Sequence, residues 1–446
     1  MTRVLLLTIL MLGPAAEAQI LPRVPLPTLP GGLPGTLTGN LPTGAGLPGG
    51  LTQDGRRLER ARKLRIRLLL RRHADVVEAD PSGEPIVRGE VVALSPTDGA
   101  LAQARSAGFS IVRDGSLGAL GIRIVVLGVP PGTATSQALS ALRRLDPAGT
   151  YDFNNIYTES GMTGGAGTMP AAPGGPGSAS PAATPLGLVD GGVATVQIVF
   201  GGVVVHQHGC GGTVIPTAHG TEVASLLVGR SARFGGAAPG ATLYAADVYC
   251  GKPTGGAVDA VAEALAWLAG QQVPVINISL VGPPNGLLQQ VIARLVARGF
   301  LIVAAVGNDG PAAPPLYPAA YPGVVGVTAV DAHRRVIFEA ERGQQVMFAA
   351  PGADIPAATL RDGFEQVRGT SFAAPLVAGL LAARLRSMAG GNDPVPPPTV
   401  DPAAAHAAVD SLARAAIHLG APGRNTVFGY GLVGADLPSP RPASRE

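Results

Sequence analysis

From Leu186 onward, short apolar runs alternate with helical stretches, and this alternation limits the fold more than any other feature of the chain. The runs "LGLVD", "TLYAADVY", "VPVINISL", "FLIVAAVGN" and "VVGVTAV" are separated by helical stretches near 220 to 229, "AVDAVAEALAWLAG" and "LLQQVIARLVARG". Unbroken apolar runs of this length suit strands covered on both faces, and the intervening helices suit the crossovers of a parallel sheet. The expected class is α/β, with a doubly wound, mostly parallel sheet over residues 186–437. In such sheets functional groups gather beyond the C-terminal ends of the strands.

Four polar residues stand there. Asp190 ends "PLGLVD", and Gly191 and Gly192 turn the chain out of the sheet. His219 opens the helical stretch "HGTEVASLLVG", and Asn308 follows the run "IVAAVGNDGP". Ser371 opens "RGTSFAAPLVAGLL", which is apolar all round and so reads as a helix in the middle of a core. Pro375 keeps regular helix from starting further back than about Ser371, because its ring clashes with the carbonyl four residues earlier. Ser371 is then at a helix N-terminus, where unpaired N–H groups favour negative charge. A neutral serine needs an imidazole to take its proton, and the imidazole needs a carboxylate to fix its tautomer. Asp190, His219 and Ser371 can supply those groups, and the Asn308 amide can donate to an oxyanion beside the Ser371 N–H. Taken singly, each residue also suits a turn or a helix cap.

In the order Asp, His, Asn, Ser, the motifs "GLVDGGV", "HGTEVASLLVG", "INISLVGP", "VAAVGNDGP", "YPAAYPGVVGVTAVD", "FAAPGADI" and "GTSFAAPLVAG" resemble the subtilisin-like serine peptidase family over about residues 180 to 437. This residue order is a known one for the subtilisin triad. The resemblance implies an endopeptidase that works through an acyl-enzyme: Ser371 attacks, His219 carries the proton, Asp190 orients His219, and Asn308 steadies the oxyanion. It also implies that an extended substrate pairs with Ser279, Leu280, Val281 and Gly282, and that Ala304, Ala305, Val306 and Gly307 wall the first specificity pocket. Three positions depart from the family pattern: Glu222 replaces a frequent second histidine, Gly191 replaces a frequent Thr or Ser, and Val306 stands where a smaller residue is common. No cofactor is implied. Calcium often stabilises the family, but no acidic run here has a ligand spacing that assigns a site.

The N-terminal part divides by composition. "MTRVLLLTILMLGPAAEAQ" has Arg3, a short apolar stretch and a small-x-small ending at Ala16-Glu17-Ala18, the pattern of a signal peptide over residues 1–18. The apolar stretch is too short to span a bilayer, and the later run "VIARLVARGFLIVAAVGN" is broken by Arg294 and Arg298, so no transmembrane span is expected. Residues 19–55 repeat Leu-Pro and Gly-Gly as a spacer. Residues 56–83 form a basic helical segment, with nine Arg or Lys against one Glu over 56–72. Its leucines are expected to pack on a neighbouring domain, with an acidic membrane surface or nucleic acid as the alternative. Residues 84–160 alternate strand-like and helical stretches, as in a small α+β module. By placement and length this module resembles the ferredoxin-like propeptides of the family, which implies an intramolecular inhibitor or folding chaperone. Its extended end near "YDFNNIYTESG" should lie close to Ser371, and self-cutting is expected between about Tyr157 and Pro185. Residues 161–185 form a Gly-, Ala- and Pro-rich linker, and 438–446 a tail.

A formal charge of +3 over 446 residues is too small to argue for nucleic acid as a partner; polypeptide substrates are expected instead. Cys210 and Cys250 suit one disulfide in an oxidising compartment, secreted or periplasmic. Two other classes stay open: a silent interaction protein of the same fold, and a zinc-binding hydrolase using His206, His208, Cys210 and His219.

Overall fold

In the computed structural model, which describes residues 49–163, 184–231, 234–361, 363–390, 400–435 and 437, the chain enters as a basic helix, α1 (Gly49–Arg72). The expected signal peptide, nearly all of the spacer, most of the linker and the tail lie outside the described residues. After α1 come β1 (Val77–Ala79), β2 (Pro85–Leu94), α2 (Asp98–Ser106), β3 (Ser110–Leu117), β4 (Ile122–Gly128), α3 (Thr135–Leu145), β5 (Thr150–Glu159) and β6 (Gly161–Thr163). From β2 to β5 the order is β-α-β-β-α-β, and the strands lie antiparallel as β5-β2-β4-β3. Thr97 caps α2 by accepting from Ala100 N at 3.0 Å.

The second half runs β7 (Leu186–Asp190), β8 (Val205–Gly209), α4 (Ala218–Val228), β9 (Leu243–Asp247), β10 (Gly256–Ala257), α5 (Val258–Gly270), β11 (Val275–Ile278) and β12 (Leu280–Val281). It continues through α6 (Gly286–Ala297), β13 (Leu301–Ala305), β14 (Val325–Val330), β15 (Val346–Pro351), β16 (Ala353–Ala358), β17 (Phe364–Gly369), α7 (Thr370–Met388) and α8 (Pro402–Ala415). The apolar runs form one all-parallel sheet in the order β15-β14-β13-β11-β7-β9-β8. Alternate residues of each strand face opposite layers. Leu188 joins the core under α4, α7 and α8, whereas its neighbour Val189 joins the core under α5 and α6.

The same alternation ties the N-terminal module to the large sheet. On one face, Val91, Ala93, Val125 and Leu127 pack under the module's own helices with Leu101, Leu139 and Leu142. On the other, Val92, Leu94, Ile124 and Val126 join Val261, Leu265, Leu288 and Ile292 of α5 and α6 in a single core. The long strand β5 then leaves the module's sheet. Its last residues pair antiparallel with β10 through Ile156 and Tyr157, and with β12 through Thr158 and Glu159. Beyond Ser160, β6 pairs antiparallel with β17, Gly161 opposite Gly369 and Thr163 opposite Val367.

Candidate active site

β7 is buried along its whole length and ends on Asp190, which is fully buried. Thr217 caps α4 by accepting from Gly220 N at 3.0 Å, and this places His219 in the first turn of that helix. The His219 ring Nδ1 lies 3.0 and 2.9 Å from the two Asp190 carboxylate oxygens. Gly191 N–H donates to Asp190 Oδ1 at 2.7 Å, so the backbone holds the carboxylate at a position that has no side-chain hydroxyl to do so. A side chain at 191 has no room, since its Cβ would stand 2.2 Å from Thr217 Oγ1. The packing of the cap thus explains the glycine.

α7 begins at Thr370, one residue before the limit set by Pro375, and is buried on nearly every side over its first three turns. Ser371 is fully buried; its hydroxyl donates to Ser279 O at 3.2 Å and is also hydrogen-bonded to the Ser160 hydroxyl. Asn308 Oδ1 accepts from Thr370 N at 3.1 Å, which turns the other end of the amide away from that contact. Asn308 Nδ2 is buried without a partner, as is His219 Nε2. An unpaired buried donor is costly in a resting protein and useful where charge develops later.

Ser279, Leu280, Val281 and Gly282 form an edge, and this edge is occupied by the chain's own Thr158 and Glu159. Ala304, Ala305 and Val306 are fully buried in the cores on either side of the sheet. Val306 therefore points into packing; the position that approaches other groups is Gly307, at φ +114°. A Cβ there would stand 2.7 Å from Glu341 Oε1 and 2.8 Å from Leu316 Cδ1. Glu341 Oε2 accepts from Leu316 N at 3.2 Å, and burial first, then the Asp309 charge, pushes Glu341 up to about 9.

The charges around His219 are those of the module as well as the parallel-sheet half. Glu159, Asp190 and His219 present ligand atoms within 4.8 Å of one another. Burial pulls the His219 pKa down, but the charge and hydrogen bond of Asp190 outweigh it, with Glu159 and Glu222 adding, and the result is about 9. Glu222, one turn along α4, is fully buried; burial and the neighbouring Glu365 on β17 push it up to about 8. Glu159, Glu341 and Glu365 carry no motif that marks them in the sequence. They meet the site only through β5, the chain after β14, and β17.

Cys210 and Cys250 are joined in a disulfide with their Cα atoms 5.7 Å apart. That removes the sulfur from the zinc alternative. His206 and His208 stack on Tyr244 and Trp267 at the β8 edge, with centroid separations of 4.7 and 5.0 Å, while His219 is buried against Asp190. The four proposed zinc ligands do not converge.

The basic helix attaches by its arginines and less by its leucines than expected. Leu64 and Leu68 remain exposed, although Leu58 lies beside Gly310. Arg62 forks onto Glu84 at 2.7 Å and reaches Asp309 at 2.8 Å, and Arg65 reaches Asp309 at 2.7 Å. α1 is therefore held to the residue next to Asn308.

A model of the subtilase family of peptidases matches residues 216–431. The chain is 29% identical over 219 residues to the minor extracellular protease Epr of Bacillus subtilis, covering 48% of this chain and 32% of that protein. It is 35% identical over 167 residues to subtilisin BL of Lederbergia lenta, covering 37% of this chain and 61% of that protein. The chain thus spans about a third to three fifths of the length of these curated relatives. Among solved structures, fervidolysin from Fervidobacterium pennivorans, a keratinolytic enzyme related to subtilisin, aligns with a TM-score of 0.64 at 19% identity, covering 81% of this chain and 62% of that one, which is a likeness of fold. His219, Asn308 and Ser371 lie within the residues that match the subtilase family, and Asp190, paired with His219, lies before them at the end of β7.

Proposed function

We propose that the protein is a serine endopeptidase made in a self-blocked form, which cuts its own chain between Ser160 and Gly161 and then hydrolyses other polypeptides outside the cytoplasm. The observation that carries this reading is the path of residues 156–163. They run as a strand through the cleft, paired with β10 and β12 before Ser160 and with β17 after it, with Ser160 against the Ser371 hydroxyl. A substrate bound by backbone pairing would take the same course. The module acts as inhibitor, and as a template for folding, because its strand fills the cleft.

The chemistry follows from the groups present. In molecules whose His219 ring is neutral, a fraction that grows as pH approaches 9, Ser371 Oγ leaves Ser279 O, gives its proton to His219 Nε2 and attacks the Ser160 carbonyl carbon. The carbonyl oxygen becomes an oxyanion, which Asn308 Nδ2 and the Ser371 N–H stabilise. The C–N bond breaks, His219 returns the proton to the Gly161 amine, and Ser160 is left as an ester on Ser371. Water, deprotonated by His219, hydrolyses the ester and restores the Ser371 hydroxyl. Asp190 stabilises the imidazolium throughout. Export is supported by the signal-like N-terminus and by an extracellular relative, and no described helix is long and apolar enough to cross a membrane.

The test is the Ser371→Ala chain, expressed beside the wild type in a host lacking other peptidases. Wild-type protein should accumulate with Gly161 at its N-terminus, at a rate independent of protein concentration. Ser371→Ala should keep its length. Equal trimming of both chains at the same bond would refute self-cutting.

A further inference from the structure

α1 is where the positive charge of the chain collects. With the nine Arg or Lys and the single Glu of residues 56–72 taken away, the formal charge of +3 becomes −5, so the rest of the chain is acidic on balance. Leu58, Arg62 and Arg65 stand on the face of α1 that meets the body of the molecule: the two arginines reach Asp309, and Leu58 lies beside Gly310. At about 3.6 residues per turn, Arg60, Leu64, Arg67 and Arg71 fall on the opposite face, with Arg57 and Leu68 at its margin, and all six are exposed. Leu64 and Leu68, one turn apart, are 51% and 37% exposed. The one carboxylate of residues 56–72, Glu59, is taken up by Lys63 at 2.6 Å. The outward face is therefore a strip of arginines with leucines set among them.

Arginine beside exposed leucine suits the boundary between lipid headgroups and acyl chains. The leucines enter the apolar edge, and the long arginine stems lie alongside them while the guanidinium groups reach phosphate. A nucleic acid would match the charge but leave the leucines in water. We propose that the outward face of α1 docks the chain on a bilayer rich in anionic lipid, with the helix lying in the headgroup plane. The acidic remainder of the chain is repelled by the same surface, which confines the contact to α1. The proposal goes beyond the peptidase reading and does not depend on it.

The experiment mixes the Ser371→Ala chain with vesicles of phosphatidylcholine alone or with about a third phosphatidylglycerol, and reads binding by co-sedimentation. Binding to the anionic vesicles should be tighter by at least about ten-fold and should weaken as salt rises. Arg67→Gln with Arg71→Gln should lower it by roughly 25-fold, about five-fold for each charge. Leu64→Gln with Leu68→Gln should lower it on the order of ten-fold. Arg144→Gln with Arg334→Gln makes the same change in charge on exposed residues outside α1, and should leave binding within about two-fold. A melting temperature equal to the parent's shows that lost binding is not lost folding; if a paired variant melts early, Arg67→Gln and Leu64→Gln alone decide, with losses of about five-fold and about three-fold. Equal binding to both kinds of vesicle, or an equal loss in the Arg144 and Arg334 variant, overturns the proposal. A leucine variant that binds as the parent does overturns it too, and a DNA duplex held as tightly as the anionic vesicles assigns the face to nucleic acid instead.

Discussion

The two large sheets of the molecule complete their cores differently. The parallel sheet is covered on one face by α4, α7 and α8 and on the other by α5 and α6, all from the same half of the chain. The module's antiparallel sheet is covered by its own α2 and α3 on one face only; its other face becomes interior through α5 and α6. Alone, the module would leave Val92, Leu94, Ile124 and Val126 facing water and lose the stabilisation that their burial provides. The module's fold should thus lean on the parallel-sheet half, while the candidate chemical groups stand on elements of that half.

Separating the halves tests this contrast most severely. Residues 73–160 made alone should show no cooperative unfolding transition and little amide dispersion by NMR, and should gain both when Ser371→Ala protein lacking the module is added. A sharp, reversible transition in the isolated segment would break the comparison.

The next effect concerns where the chemistry resides. Asn308→Ala should lower turnover of peptides by the processed enzyme by on the order of 100- to 1000-fold with KM little changed, because its free Nδ2 meets charge only in the transition state. The melting temperature of the unprocessed chain should also fall, because the buried Thr370 N loses its Oδ1 acceptor. Unchanged turnover would remove Asn308 from the oxyanion role.

A smaller effect lies in pH. The Glu222 carboxyl titrates at about 8 when folded against an ordinary value of 4.5, so between these values the folded chain holds a proton that the unfolded chain has released. Stability should therefore fall as pH rises from about 4.5 to about 8. His219, raised to about 9 from 6.5, acts in the same direction: its stabilisation is full below pH 6.5 and is lost as pH rises through 9. Glu222→Gln should flatten the fall and stabilise the chain at pH 9 by on the order of 1 kcal/mol or more, with little change at pH 4, as read by chemical denaturation at each pH. An unaltered slope would show that Glu222 ionises normally.

The smallest effect is at the α1 contact. Asp309→Asn removes the carboxylate that the partly buried Arg62 and the exposed Arg65 share, but Arg62 keeps Glu84 and the amide still fills the site, so the loss should be about 1 kcal/mol. The cut module should dissociate a few-fold faster from Asp309→Asn protein, with the difference shrinking in high salt. A difference that persists in molar salt would mean that packing, and not charge, holds α1.

The contrast also explains what could be read in advance. The alternation of apolar runs marked the parallel sheet, since strands buried on both faces admit few polar residues. Asp190, His219, Asn308 and Ser371 stood out because each follows or opens such a run. Glu159, Glu341 and Glu365 did not, because their effect depends on tertiary neighbours and not on local spacing. The arginines of α1 suggested a general basic surface, whereas two of them meet one carboxylate 244 or more positions away. Patterning reveals faces, but not which distant partner a face will meet.

The unequal grip on the strand through the cleft has a kinetic consequence. Before Ser160 the chain is paired on both sides and continues into a sheet fused to α5 and α6; among the described residues after it, Gly161, Met162 and Thr163 are paired along one edge. Once the bond is broken, the new amine end, held along one edge over those residues, should depart first. Its departure opens the side of the ester from which the second nucleophile, water, must come, while the retained carbonyl end stays aligned for it. Under the proposed self-cutting, this order of exit would favour hydrolysis over rejoining and make the release of the N-terminal piece the slow event.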